Sequence, residues 1–241
     1  MKNALLFCFI ALFFGCQHKP AENTNANPTA PVSEGLTPSQ QKAVLLAGTS
    51  MSGQASGALA DNGRSLELTI SNSAVFNQEA DLVLLHASRA AWVFYQNMGE
   101  DKPSFENLVV KAQLKDTTFT LPYKLTDLAI VKARYPTVEK VAKLLIAGDY
   151  EQLYTLFDPS VMGVVKVEGL RGYCTQIEPQ YGKPLSFDFR GFQLGKTSSG
   201  QDNLSLAGNL KREQKDTPLN ILIDLSKPNM EGSISSLKFD Y

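Results

Sequence analysis

Apolar and polar positions change period along this chain, and the changes divide it. Between residues 37 and 135 helical and strand periods alternate. Thr37-Pro38-Ser39-Gln40 predicts a helix start: Thr can cap, Pro suits the first helical position, and Gln three residues after the cap can close a capping box. That helix is expected to reach about Gly48, and the Ala-, Gly- and Ser-rich stretch from there to Leu59 has no clear period. Asn62-Gly63 predicts a turn. Leu66, Leu68 and Ile70, alternating with Glu67, Thr69 and Ser71, predict a half-buried strand. Ala80, Val83, Leu84, Ala87, Ala91, Phe94 and Tyr95 recur at three- and four-residue spacing and predict a long helix over 77–97, ended by Gly99. Leu82, Leu85, Trp92 and Val93 widen its stripe enough to require cover on a second face. Segments 105–114 and 117–124 predict a hairpin about Lys115-Asp116, with Pro122 placing the second strand at an edge. A short helix over 126–133 leads out.

Tyr135-Pro136-Thr137 predicts a new unit, with Thr137 capping a helix that carries Val138, Val141, Ala142, Leu144 and Leu145 and ends at Gly148. Asp149 and Gln152 have capping-box spacing for the next helix, which Pro159 should stop. Leu170, Tyr173, Cys174 and Ile177 give a third helix, closed by Pro179 and Gly182. The period then becomes two. Leu185, Phe187 and Phe189 alternate until Gly191, where the phase flips to Phe192 and Leu194. A glycine at a phase flip predicts a β-bulge. Leu204, Leu206 and Leu210, then Leu219, Ile221, Ile223 and Leu225, then Leu237, Phe239 and Tyr241 mark three further strands. Helices followed by an antiparallel meander predict an α+β fold, in two small modules over 37–135 and 136–241.

The N-terminus changes the picture from fold to location. Residues 1–16 read MKNALLFCFIALFFGC: one lysine, an apolar run, then Gly15-Cys16. The run falls short of the ~20 residues that span a bilayer and has the anatomy of an export signal. The Gly-Cys ending resembles the lipobox of bacterial lipoproteins, with Phe13 where that family usually has Leu. The resemblance implies acylation of Cys16, removal of the preceding peptide, and a chain anchored in the bacterial cell envelope. The outer membrane is the expected membrane, and the chain would face the periplasm or the surface. Residues 17–36, rich in Pro, Asn, Ala, Thr and Glu and without aromatics, are expected to form a disordered tether, because they cannot bury enough apolar surface to offset their ordering entropy. His18 is expected to be solvated there.

Charge and candidate chemistry then narrow the function. A formal net charge of −1 provides no basic field for nucleic acid or an anionic membrane, so the expected membrane partner is reached only through the acyl chains on Cys16. Of three cysteines, Cys8 would leave with the signal and Cys16 would be lipidated, which leaves Cys174 alone, so no intramolecular disulfide is expected. The two histidines, His18 and His86, and the absence of HExxH, CxxC and GxSxG motifs predict no metal site, no cofactor and no catalytic residues. His86 is expected at the core edge, with Arg89 lowering its pKa. Asp149 and Asp158 are explained by capping, Asp188 and Arg190 should face outward or pair with each other, and Cys174 sits on an apolar helical face as an inert thiol. Trp92 and Tyr95 are the aromatic candidates to floor a ligand groove in the first module, and Tyr154 and Tyr173 are the candidates to line a pocket in the second.

Gly148-Asp149-Tyr150 with Phe157-Asp158, then Tyr181-Gly182-Lys183 before the first long strand, resemble the cone-shaped domains related to nuclear transport factor two, SnoaL-like and extracytoplasmic lipoprotein members included. The resemblance covers about 137–241 and implies a curved sheet wrapped around helices with a pocket between. It also allows a homodimer, since many members dimerise. Some members are enzymes that place an acid or a His–Asp pair in the pocket, but 137–241 contains no histidine. The expectation is a non-catalytic module binding a small apolar ligand or an envelope protein partner. The alternative is a lipid-anchored isomerase or hydrolase using the C-terminal pocket.

Overall fold

A computed structural model describes residues 35–99, 104–163, 166–197, 199–228 and 231–239. The signal, Cys16, His18 and nearly all of the expected tether lie outside these residues, as does Tyr241. At the tether's end, however, Leu36 is already part of the hydrophobic core.

Helix α1 (Pro38–Ser50) starts as its sequence demands. Thr37 accepts from the Gln40 amide, and the Gln40 side chain accepts from the Thr37 amide. The periodless stretch beyond it supplies β1 (Gln54–Ala60), which pairs antiparallel with β2 (Ser65–Ser71) through the turn at Asn62-Gly63. Leu66, Leu68 and Ile70 are fully buried, as their alternation predicts. The crossover from β2 to β3 (Asn107–Gln113) is helical, and the two strands are parallel. β3 and β4 (Thr118–Lys124) form the expected hairpin, with β4 at the sheet edge where Pro122 needs no partner. The first sheet therefore runs β1-β2-β3-β4. Phe119, on the same face of β4 as Leu121 and Tyr123, is 37% exposed.

The crossover corrects the long helix expected over 77–97. A short α2 (Ala74–Gln78), capped by Ser73, ends at Glu79, whose backbone leaves helical geometry. A 3-10 turn at Ala80–Leu82 follows, then α3 (Val83–Asn97). The break frees Glu79 for an ion pair with β5. Leu84, expected in the buried stripe, is 62% exposed, while His86, Ala87, Ser88, Ala90, Ala91, Trp92 and Phe94 are all buried. Helix α3 is covered on two faces, by α1 and by β5, but Leu82, expected to widen the stripe, lies in the 3-10 turn and is 37% exposed.

The expected boundary at 135/136 falls inside a single helix, α4 (Leu125–Ala147), which replaces the two helices predicted on either side of it. An interior proline removes one helical hydrogen bond and costs ~3 kcal/mol. Leu128, Val131, Val138, Val141 and Leu145 form one buried stripe straight through Pro136, and each buried aliphatic side chain contributes ~1.5–3 kcal/mol. The stripe outweighs the proline. Thr137 is consequently buried mid-helix instead of capping.

Gly148 ends α4 in the left-handed conformation, and Asp149 caps α5 (Tyr150–Thr155). Pro159 does not stop a helix but begins one, α6 (Pro159–Met162), because Asp158 ahead of it is a cap. α7 (Val167–Thr175) and α8 (Glu178–Tyr181) follow. The second sheet is the expected meander of β5 (Pro184–Lys196), β6 (Asp202–Arg212), β7 (Thr217–Asp224) and β8 (Ile234–Phe239), antiparallel throughout. The fold is α+β, and buried residues of both sheets belong to one contiguous core.

The bulge predicted at Gly191 is present, as a register shift between Phe189 and Gly191. It marks where the β5 edge meets α3. The Phe192 amide donates to Ser88 Oγ at 2.8 Å, and Ser88 Oγ donates to the Leu85 carbonyl at 2.7 Å. A Cβ on Gly191 would lie 2.2 Å from the Leu85 carbonyl oxygen, and its φ of +150° also disfavours a side chain. At the start of β5, Leu185 is 57% exposed, contrary to its place in the alternation. Trp92, Tyr135 and Phe189 close the same seam from α3, α4 and β5, with ring centroids 5.2–6.4 Å apart. Around the seam, Asp188 and Arg190 correct a further expectation. Neither pairs with the other: Asp188 meets Arg89 at 3.3 Å, and Arg190 bonds Glu79.

Gly191→Ala should therefore destabilise the fold by about 3 kcal/mol, read as a lowered urea midpoint. Gly172→Ala, in the interior of α7 with open space around its Cβ position, should raise the midpoint by the ~0.5–1 kcal/mol that separates Ala from Gly in helices. Equal effects of the two substitutions would refute the close-approach account.

Candidate functional site

The segment after α5 is held against β8. Ile234 N–H donates to the Leu156 carbonyl at 3.0 Å, and Asp158 N–H donates to the Ile234 carbonyl at 2.8 Å, so Phe157 forms a one-residue parallel bridge on the β8 edge. The Asp158 carboxylate accepts from the Ser160 amide at 2.8 Å and the Ser160 hydroxyl at 2.6 Å, and pairs with Lys227 at 3.1 Å. Those Ser160 hydrogen bonds, with help from Lys227, hold its pKa down to about 2. Tyr154 O–H donates to the Met162 carbonyl at 3.0 Å and ties α5 to α6. On the far side, α7 leans on the same strand. The Tyr173 hydroxyl accepts from the Phe239 amide at 3.1 Å, and the two rings are 5.5 Å apart.

These ties leave a cavity of about 730 Å³ between α5, α6, α7 and β8. Phe157, Val161, Met162, Leu170 and Leu237 make its walls apolar, Ser235 and Ser236 add hydroxyls, and Lys166 and Glu168 bring one charge of each sign. That volume and lining suit a ligand with an apolar body. Tyr154 and Tyr173 both line it. Trp92 and Tyr95 stand elsewhere: Trp92 is 2% exposed in the α3–α4–β5 aromatic cluster and Tyr95 stacks on it at 6.5 Å. Of the four aromatic candidates, the structure thus brings two together at a cavity. The β8 residues of the lining were missed because nothing in the sequence says which strand edge stays open.

Two other hollows are more polar. One of 410 Å³ lies between α3, β4 and β5 and includes Asp81, Asp127 and Gln193; one of 720 Å³ lies between α4 and the β5–β6 turn, beside Lys196, Asp202 and Asn203.

The titratable groups act structurally. Burial pushes the Cys174 thiol up to about 12, so it stays protonated and unreactive at neutral pH. His86 is fully buried, not at the core edge. Its Nε2 lies 2.7 Å from Glu79 Oε2 and 3.1 Å from Arg190 Nη2, while Nδ1 is buried without a partner. A proton on Nδ1 would be an unmatched buried donor. Burial first, and Arg89 second, lower the His86 pKa against an opposing contribution from Asp81. Arg212, also buried, donates to the Gly182 carbonyl and the Thr217 hydroxyl, each at 2.9 Å. Among the described residues no group of His, Cys, Asp and Glu is placed to hold a metal ion, and no helix is long and apolar enough to cross a membrane.

No protein-family model, curated protein or solved structure matched the chain on comparison.

The depressed Asp158 pKa has a pH consequence. The group stabilises the fold above its ordinary value of 3.8, and that contribution is lost as pH falls through about 2. Wild-type stability should fall between pH 4 and pH 2 by more than that of Asp158→Asn, measured by urea denaturation across that window. Parallel pH profiles would show that the α6 cap is not held by the carboxylate charge.

Proposed function

We propose that this protein is a lipid-anchored binding module of the bacterial cell envelope that takes a ligand with an apolar body in the cavity between α5, α6, α7 and β8. The cavity is the observation that carries the reading: about 730 Å³, walled by Phe157, Val161, Met162, Leu170 and Leu237, with Tyr154 and Tyr173 beside them. Binding rather than catalysis is supported by what the polar groups already do. Asp149 and Asp158 cap helices, Tyr154 and Tyr173 hold backbone groups, and the Cys174 thiol is buried and protonated. The resemblance of 137–241 to domains related to nuclear transport factor two agrees with this reading through its order of helices before a four-stranded sheet. The anchor rests on the lipobox-like ending at Cys16, and the absence of a net basic charge leaves acylation as the route to the membrane.

N-phenyl-1-naphthylamine, an uncharged apolar fluorophore, should bind saturably with one site per chain. Val161→Trp, which fills the cavity from α6, should reduce that binding at least tenfold while leaving the fold's far-ultraviolet dichroism unchanged. Unsaturable fluorescence, or equal binding by both proteins, would refute the site. For the anchor, Cys16→Ser should leave the full-length precursor unprocessed and unlabelled by radioactive palmitate in a bacterial host. Normal processing of that variant would refute lipidation at Cys16.

A further inference from the structure

An edge strand exposes backbone N–H and C=O groups that must find partners or face water. The second sheet has two edges, β5 and β8. The β5 edge is met by α3 through Ser88. Among the described residues the β8 edge is met near its two ends. At one end Ile234 exchanges two hydrogen bonds with Leu156 and Asp158. At the other the Phe239 amide donates to Tyr173.

Leu237 lies between them. In an antiparallel ladder the backbone groups of alternate residues point to the same side. Phe239, opposite Leu219, sends its N–H away from β7 to Tyr173, so Leu237, opposite Ile221 and two residues earlier, points the same way. Among the described residues nothing bonds its outward N–H or C=O. Leu237, Ser236 and Ser235 line the cavity, and α5–α7 stand off from the strand there. The cavity is the uncovered stretch of the β8 edge.

That geometry selects among apolar ligands. The wall offers a donor and an acceptor from one residue at strand spacing, which a main-chain amide matches and a plain hydrocarbon does not. Lys166 and Glu168 bring opposite charges to the lining, so neither a carboxylate nor an ammonium head group is favoured over a neutral, dipolar backbone. The site is continuous with a pairing the chain already makes: Phe157 bridges Ile234 on this edge, and a further strand would extend that line.

We infer that the ligand is an extended peptide segment, which pairs with the Leu237 backbone on the β8 edge and inserts one large apolar side chain between Phe157, Val161, Met162 and Leu170. This rests on the proposed apolar-ligand site and names its ligand class.

The test uses the full folded chain and three probes: N-phenyl-1-naphthylamine, the peptide acetyl-Lys-Thr-Phe-Thr-Lys-amide, and the same peptide N-methylated at Phe and the following Thr. N-methylation removes backbone donors and keeps every side chain. The unmodified peptide should displace the fluorophore, and the methylated one should do so about tenfold more weakly, the loss expected for one or two net hydrogen bonds. Leu237→Pro removes an N–H that the β7–β8 ladder does not use, and it should weaken the peptide about tenfold. N-phenyl-1-naphthylamine reports the part of that loss due to the missing Leu237 side chain in the cavity wall, and the peptide should weaken at least about threefold more than the fluorophore. Equal displacement by both peptides would overturn backbone pairing. Fluorophore binding with no displacement at millimolar peptide would overturn the peptide class and leave the apolar site standing. Failure of the fluorophore and the peptide alike would overturn both.

Discussion

The close approach of β5 to α3 at Gly191 is the contact on which the rest of the fold depends. An open sheet edge must be covered, and a helix can cover it only where a side chain imitates a neighbouring strand. Ser88 does this by accepting from Phe192 and passing its own proton to Leu85. The approach is too close for any Cβ at residue 191. The bulge then serves two needs. It removes the side chain at the contact, and it turns Phe189 and Phe192 to the inner side on either side of the flip, where both are buried. Trp92 and Tyr135 pack on Phe189, and Tyr123 reaches Phe192 at 5.9 Å from the first sheet. Edge-to-face pairs of this kind contribute ~0.5–1.5 kcal/mol each beyond their burial. The first sheet, the two long helices and the second sheet thus share a single seam.

Charged groups follow the seam without driving it. Arg89–Asp188 is partly exposed, and such pairs are worth ~0–1 kcal/mol. The Glu79–His86–Arg190 group is more constrained. His86 is fully buried, and its neutral form, with Nε2–H toward Glu79, leaves only an acceptor unmatched. Arg190 then completes the Glu79 carboxylate. The helix break at Glu79 is what brings that carboxylate to the seam, so a local departure from helical geometry is fixed by a long-range ion pair.

Local chemistry was legible in the sequence where a residue type has few uses. The Thr37–Gln40 box, the Asn62-Gly63 turn, the Gly148 cap and the Gly191 bulge all follow from side chains or glycines that suit one backbone geometry. Long-range competition was not legible in the same way. Pro136 reads as a boundary because its local cost is visible, whereas the compensating stripe from Leu128 to Leu145 shows only when the heptad spacing is followed through it. Glu79 reads as helix interior because its partner Arg190 is distant in sequence. Leu84 and Leu185 read as buried because alternation and helical period assign faces without saying which parts of a face are covered. Half of the candidate site was legible for the same reason. Tyr154 and Tyr173 sit on helices whose apolar sides are obvious, but so do Trp92 and Tyr95, and only packing separates a cavity wall from an aromatic core.

The location of the cavity has a physical cause in how the two sheet edges are treated. Helix α3 is continuous where it is laid along β5, and it meets the strand through the Ser88 hydrogen bond, the Arg89–Asp188 pair and the Trp92–Phe189 rings. At β8 the cover is made from α5, α6 and α7, none longer than nine residues. Short helices joined by turns cannot follow a straight strand edge, so they touch it where a backbone or hydroxyl partner is available, at Ile234 and at Phe239, and stand away between. Apolar residues from all three helices then face a space instead of a strand. The hollow arises from covering one edge with fragments, and its wall includes the Leu237 backbone, which nothing among the described residues bonds on that side. A ligand that supplies both apolar surface and a strand-like amide would satisfy the edge in the way α3 satisfies β5.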